Sequence, residues 1–564
     1  MYMNLNFTKS AGLLIVVALL FVAFLMTGVD SVFAFEEVWV LADEITNKIE
    51  LKEAGFLHGI ESGEYLEDSL VALLKPLNWR LYKFATLDYA RRFNPKITYG
   101  ISNHYAWSHG GFPYAHPWED WEEYENFILE ELILIAAYFP DVHIEFYDIW
   151  NEPDHPYFWT GTYSQLLELF ARAHDIIKLF DPGAKLVGPS VSRFDPDDPG
   201  VANVVGFLTD LDRGYGVRLD AVSWHENGGA FEQGPRPEHI PNHAGLIRSG
   251  IRDYFPPEYQ PELHVNEYAG GRVHLSPGWN VGYLYYLGEA RIDGAGRACW
   301  WVFSGDNPPY DYWSDCWAGL NGMFMRDGIT PQPSYWVYRA YAEMEDTWRV
   351  QTFSSEPTTV VIASENSEEE EFNLIAGRYW HIGAEQVIIY VEDYPFLHDM
   401  VNIAIEKIPH FPEFFEDPPI AQPLPDGPIP IAAYSQTVLD SSLVIIIDYF
   451  ENGDVYLINI KENETTDIVE NYPSTPAHHS TVLRNIPNPF NSVTIISFEL
   501  VLRTDVCLTV YNLLGQKIDK LLDQRMNPGN HNITWDASTY SNGIYFYQLE
   551  IGNKTITKRM TLLK

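Results

Sequence analysis

From Gly55 to about Met344 the chain alternates short apolar runs with longer amphipathic stretches, and this alternation predicts repeated βα units. Strands are expected at Gly55–Ile60, Trp79–Phe84, Lys96–Ser102, Ile144–Trp150, Lys185–Pro189, Leu219–Trp224, Glu262–Asn266 and Ala298–Phe303. Between them the periodicity is helical. In Trp118–Tyr138, Phe127, Leu129, Leu132, Ile133, Ile135 and Ala136 form a broad apolar stripe, and Tyr163–Phe180 is closed by Asp181-Pro182-Gly183. Eight such units fit a (β/α)8 TIM barrel. An open doubly wound sheet also alternates, but no glycine-rich phosphate loop follows the first strand.

Beyond Met344 the pattern changes to strands without helices: Thr358–Ala363, Phe372–Ala376, Gln386–Val391, Val401–Ile408, Ser442–Tyr449 and Asp454–Ile460. Their alternation and turn residues predict a β-sandwich. The proline-rich segment Pro409–Pro430 reads as an extended crossing loop, and the acidic run Glu365–Glu371 as a solvated one. At the N-terminus, Lys9, an apolar run from Ala11 to Met26 and Ser31-Val32-Phe33-Ala34 form a secretory signal with cleavage after Ala34. The expected organisation is a signal peptide at 1–34, a barrel at 35–348, an accessory sandwich at 349–470, a linker at 471–481 and a third unit at 482–564.

Composition narrows the partners. With 78 acidic against 36 basic residues the 564-residue chain carries a formal charge of −42, which disfavours nucleic acid and anionic lipid. No segment after the signal is a convincing membrane span. The three cysteines, Cys299, Cys316 and Cys507, are too few for a disulfide framework, and whether Cys299 and Cys316 pair is open.

The candidate chemistry sits at strand tips. Ile144–Trp150 runs into Asn151-Glu152-Pro153, and Glu262–Val265 into Asn266-Glu267-Tyr268, so the fourth and seventh strands each deliver a glutamate where barrel enzymes place their active site. Two converging carboxyls are what glycosidic-bond hydrolysis needs, one to protonate the leaving oxygen and one to act on the sugar carbon. His104 and Trp107 follow the third strand, His225 the sixth, and Trp300 or Trp301 lies on the eighth, where alternation allows only one of the two to face inward. These are candidate substrate contacts. Glu226, next to His225, competes for the second carboxyl role should the strand register differ. The histidines lack HExxH spacing, so neither a metal nor another cofactor is expected.

Trp150-Asn151-Glu152-Pro153, the following Phe158-Trp159, Asp181 through Ser190 (DPGAKLVGPS), and Trp224-His225 together resemble glycoside hydrolase family 39 and its relatives in clan A. That resemblance implies a retaining enzyme for β-type bonds, with Glu152 as acid/base, Glu267 as nucleophile and Asn151 on the sugar 2-hydroxyl. Glu267-Tyr268 departs from the Glu-Trp pair usual in that family. The alternative is a barrel that binds carbohydrate without cleaving it. The final unit, with Ile486-Pro487-Asn488-Pro489-Phe490-Asn491, Val510-Tyr511-Asn512-Leu513-Leu514-Gly515-Gln516, Trp535-Asp536, Gly543–Tyr547 and a basic C-terminal strand, resembles the sorting domain of type IX secretion cargo. It implies a small β-sandwich read by that machinery, and a protein exported through the periplasm to the surface or medium.

Overall fold

The computed structural model describes residues 35–57, 66–75, 78–81, 84–111, 114–227, 236–269, 273, 275–298, 319–325, 327–380, 385–396, 400–410, 423–439, 441–462, 483–486, 490–500, 504–512, 516–526, 529–551 and 554–562. The signal segment, the linker, Cys299, Cys316, Trp300 and Trp301 lie outside the described residues, as does the side chain of Trp107. The chain divides into two compact units, Met1–Thr465 and Thr466–Lys564.

In the first unit, eight parallel strands close into a barrel. They are β2 (Gly55–Leu57), β3 (Asn78–Leu81), β4 (Lys96–Gly100), β5 (Ile144–Asp148), β6 (Lys185–Val191), β7 (Ala221–Glu226), β8 (Glu262–Tyr268) and β9 (Gly294–Arg297). Helices between them include α1 (Asp68–Ala72), α2 (Leu87–Phe93), α3 (Ile101–Ser108), α4 (Trp121–Tyr138), α5 (Tyr163–Phe180), α6 (Val204–Tyr215), α7 (Ile240–Tyr254) and α8 (Pro277–Glu289), and α9 (Pro333–Glu343) follows. Local chemistry sets their ends. The Asp120 side chain accepts from the Glu123 amide at the start of α4, and Thr162 with Gln165 forms a reciprocal capping box on α5.

The eighth strand lies upstream of its expected position. Gly294-Ala295-Gly296-Arg297 closes the barrel, with Arg297 paired to Phe56. This strand is glycine-rich because its neighbours come very close: a Cβ at Gly296 would sit 2.5 Å from the Asn266 carbonyl oxygen, and one at Gly55 would sit 1.7 Å from that of Ala295. A strand of small residues ending in an arginine shows no apolar alternation, whereas the aromatic run after it does.

The accessory region is a nine-stranded sheet in the order β15-β14-β17-β12-β11-β10-β1-β13-β16. It comprises β1 (Phe35–Lys48), β10 (Trp348–Ser354), β11 (Thr359–Asn366), β12 (Glu371–Arg378), β13 (Glu385–Glu392), β14 (Met400–Ile408), β15 (Ile429–Thr437), β16 (Leu443–Phe450) and β17 (Val455–Glu462). One shared core, with Val38, Val40, Val361, Phe372, Ile389, Ile403 and Ile445, joins its strands into a sandwich-like fold. The six expected strands are present, with three additions. The domain boundary at 35 is corrected by β1, which pairs with β10 and β13 and belongs to this sheet and not to the barrel. Strand β15 is an edge strand exposed along most of its length, so it shows no buried face to alternate, and it carries Pro430 where an edge tolerates one. The acidic run forms the hairpin turn between β11 and β12.

The second unit contains a three-stranded sheet of β18 (Leu483–Ile486), β19 (Val493–Leu500) and β22 (Gly529–Asp536). Its four-stranded sheet has the order β21 (Lys517–Met526), β20 (Thr504–Asn512), β23 (Gly543–Ile551), β24 (Lys554–Leu562). Phe490, Ile496, Leu508, Val510, Trp535, Tyr547, Leu549 and Met560 form its own core. Cys507 is a free thiol here.

Candidate active site

The C-terminal ends of β3, β5, β7 and β8 converge on one buried polar cluster. Two interruptions of regular pairing build it. In β8, Val265 pairs with Trp224 but Glu267 pairs with His225, which leaves Asn266 as an extra residue. Strict alternation would turn Glu267 away from Asn266; the bulge lets both aim at the barrel axis. In β6 the register slips in the same way between Pro189 and Val191, and Ser190 fills the slip.

Beyond β5, Glu152 adopts a left-handed backbone with φ of 45°, held by its amide donating to the Ser190 carbonyl at 2.9 Å. Ser190 itself has φ of 56°. Such conformations cost on the order of 1–3 kcal/mol each in a non-glycine residue, and they concentrate where structure is subordinated to a site.

Arg80 is the hub. Its Nε donates to Asp148 Oδ2 at 2.7 Å, its Nη1 to Glu267 Oε1 at 2.6 Å, and its Nη2 to Asn151 Oδ1 at 3.0 Å. Asp148 is fully buried and also accepts from Ser190 Oγ at 2.9 Å, while Asn266 Nδ2 donates to that Ser190 oxygen at 2.9 Å. On the other side, Asn227 Nδ2 donates to Glu267 Oε2 at 3.1 Å. His225 joins the two glutamates: Nδ1 lies 2.9 Å from Glu152 Oε1 and 3.5 Å from Glu267 Oε2. Its Nε2 lies 3.3 Å from Arg80 Nη1, which can only donate, so Nε2 is the acceptor and Nδ1 carries the proton.

One oxygen of each glutamate and a ring nitrogen of His225 lie within 4.8 Å of one another. The two carboxyls are electrostatically unlike. Burial, with Asp154 adding to it, pushes Glu152 up to about 7. Glu267 instead meets the Arg80 guanidinium and the Asn227 amide. Burial, helped by Arg80, pushes His225 down to about 4, so it stays neutral. Glu152, His225 and Glu267 are metal-ligand types, but the Arg80 cation already occupies the flank of Glu267 that a metal ion would have to neutralise.

The structure therefore gathers Glu152, Glu267, Asn151 and His225. His104 lies elsewhere: on α3 its ring packs on Phe127 of α4 and its Nδ1 lies 2.8 Å from Glu131. Glu226, the competing carboxyl, alternates outward from β7 to bind the Trp224 indole at 2.6 Å and His243 at 2.7 Å. Tyr268 also points away, donating to the Glu53 carbonyl at 2.8 Å. Arg80, Asp148, Ser190 and Asn227 were not expected from the sequence. The available signal was a charge inside an apolar strand pattern, at Arg80 in Asn78–Leu81 and at Asp148 in Ile144–Trp150.

The fold is shared with solved structures of low sequence identity. A protein of Neocallimastix frontalis aligns with a TM-score of 0.59 at 17% identity over 76% of this chain and 100% of its own. The GH39 enzyme from Xanthomonas axonopodis pv. citri aligns at 0.53 and 14% over 78% and 100%. A monomeric beta-xylosidase from Caulobacter crescentus CB15 aligns at 0.52 and 15% over 76% and 100%. No curated protein sequence matches the chain. Among the described residues no helix is long and apolar enough to cross a membrane. Residues 486–562 match the secretion system C-terminal sorting domain, so the second unit belongs to that family and implies export of the protein that carries it.

Proposed function

We propose that this chain is an exported retaining glycoside hydrolase acting on β-type bonds of poly- or oligosaccharides, with Glu152 as acid/base and Glu267 as nucleophile. The observation that carries the reading is the pairing of a carboxyl raised to about 7 with a second carboxylate bound to Arg80, one oxygen of each lying within 4.8 Å of the other. Retaining enzymes hold their carboxyl groups about 5–5.5 Å apart, whereas inverting ones leave roughly 6.5–9.5 Å for a water. A GH39 enzyme and a beta-xylosidase that share the fold support the same reaction class.

In the first step the proton on Glu152 passes to the glycosidic oxygen as that oxygen leaves carbon 1, and a Glu267 oxygen bonds to the same carbon. In the second, ionised Glu152 takes a proton from water, the water oxygen bonds to carbon 1, and the bond to Glu267 breaks. His225 Nδ1–H donates to Glu152 through both steps and is too acidic in this setting to retain a second proton. Arg80 binds Glu267 and Asn151 together, which fixes the two side chains relative to each other. The sorting domain would be read by the type IX machinery and take no part in these steps.

The test is a screen of the purified chain against plant and microbial polysaccharides and aryl β-glycosides, followed by determination of the anomer first released. A product that keeps the substrate's β-configuration supports the reading. An α-anomer, or no hydrolysis of any glycoside, refutes it.

A further inference from the structure

Asn227 follows β7 and stands beside Glu267 without being part of the chemistry above. Its Nδ2 donates to Glu267 Oε2 at 3.1 Å. Because that oxygen can only accept, the amide orientation is settled: nitrogen toward Glu267 and oxygen away from it. The outward-turned Oδ1 is buried and has no hydrogen-bond partner among the described residues. A buried amide oxygen left unsatisfied keeps the full cost of its desolvation, and in a native fold it calls for a donor. Among the described residues the polar neighbours are committed elsewhere: Arg80 is engaged by Asp148, Asn151 and Glu267, and His225 Nδ1 faces the two glutamates.

Building on the glycosidase reading, we propose that Asn227 is a positioning and specificity residue for the sugar unit that Glu267 attacks. Its amide nitrogen fixes the attacking carboxylate, and its amide oxygen accepts a hydrogen bond from one hydroxyl of that sugar. One side chain then couples the aim of the nucleophile to the presence of a hydroxyl donor, so a sugar lacking it loses the contact and leaves Oδ1 unpaired. The backbone supports this placement. Asn227 directly follows His225 and Glu226, and Glu226 is anchored outward by Trp224 and His243, so the strand end that presents Asn227 is tied on its far side.

The two roles separate by substitution. Asn227→Ala removes donor and acceptor; Asn227→Asp keeps an acceptor but sets a like charge against Glu267. The assay uses the full chain, the aryl β-glycoside it turns over best, and the monodeoxy analogues of that glycoside. In wild type, one analogue should lose kcat/KM by roughly 2- to 10-fold through the missing neutral hydrogen bond. In Asn227→Ala the loss for that analogue should vanish, and kcat/KM on the parent glycoside should fall roughly 10- to 150-fold, the range for a hydrogen bond to a charged group. In Asn227→Asp the discrimination should persist while the rate falls, then recover as pH drops and the introduced carboxyl regains a proton to donate. The ratio between analogues is independent of how much protein is folded. Active wild type whose deoxy-sugar discrimination is unchanged in Asn227→Ala overturns this inference alone. A wild-type chain that turns over no glycoside overturns the proposed function and this inference with it.

Discussion

Strands β5 and β8 each serve a glutamate at both ends, and along β5 the two ends of the barrel treat that side chain in opposite ways. At the N-terminal end, Glu145 meets Lys185 at 2.6 Å and His143 at 3.1 Å, and Glu262 meets His264 at 3.1 Å, around a polar cavity of about 50 Å³. Hydrogen bonds from those partners hold both carboxyls below the usual glutamate range. At the C-terminal end, Glu152 is only 5% exposed and burial pushes it up to about 7. The residue type is the same; what differs is whether a cation arrives with the carboxyl or water leaves without one. The lower end holds ion pairs open to solvent, whereas the upper end buries one ion pair, Glu267 with Arg80, beside a Glu152 that keeps its proton.

The largest test of that contrast removes the upper carboxyls. Glu267→Ala should leave no measurable turnover. Glu152→Ala should lose about 10²- to 10⁴-fold, recovered in part by good leaving groups or azide, because only proton transfer is missing. Equal azide responses from the two variants would break the division of roles.

Next in size is Arg80→Met. It strands Asp148, which is fully buried, without its cation, and should cost about 3–5 kcal/mol in chemical denaturation. A loss below 1 kcal/mol would mean that Ser190 and Asn266 suffice to hold Asp148.

The pH response should differ in sign between the two ends. Folded Glu152 keeps its proton to about pH 7, whereas the unfolded side chain releases it near 4.5. The folded state thus gains stability that is complete below 4.5 and is lost as pH rises through 7, roughly 3 kcal/mol at about 1.4 kcal/mol per pH unit. Glu152→Gln should erase that slope, as read from denaturation midpoints between pH 5 and 8. The same ionisation should lower kcat/KM above pH 7, since the acid is spent. Glu145, held low, contributes in the opposite window: its stability is present above the ordinary glutamate value and fades as pH falls through its depressed pKa.

The smallest effect belongs to that lower end. With Lys185 40% exposed, Lys185→Ala should cost no more than about 1 kcal/mol and leave kcat/KM unchanged. A large activity loss would show that the two ends are coupled along the strands. Ending the chain at Thr465 should likewise leave hydrolysis intact while export stops, as measured by enzyme activity retained in the periplasm.

What the sequence determined by itself was whatever its local patterns carry. The βα alternation specified seven of the barrel strands closely, the helix-free region specified a sandwich, and the strand tips exposed Glu152, Glu267, Asn151 and His225 as candidates, because a tip is recognisable as the polar end of an apolar run. The tertiary structure decided what no local window holds. It placed the glycine strand β9, legible only through the atoms that crowd it, and moved β1 across the chain to a sheet whose other strands lie some 300 residues later. It withdrew His104 to face α4, turned Glu226 outward, and through the bulge at Asn266 turned Glu267 inward. It also brought Arg80 from a third strand to bind Asp148, Asn151 and Glu267 at once. Hydrophobic periodicity is a property of neighbours in sequence, whereas the proton on Glu152 depends on burial and charge contributed by residues from several strands, and only folding assembles them.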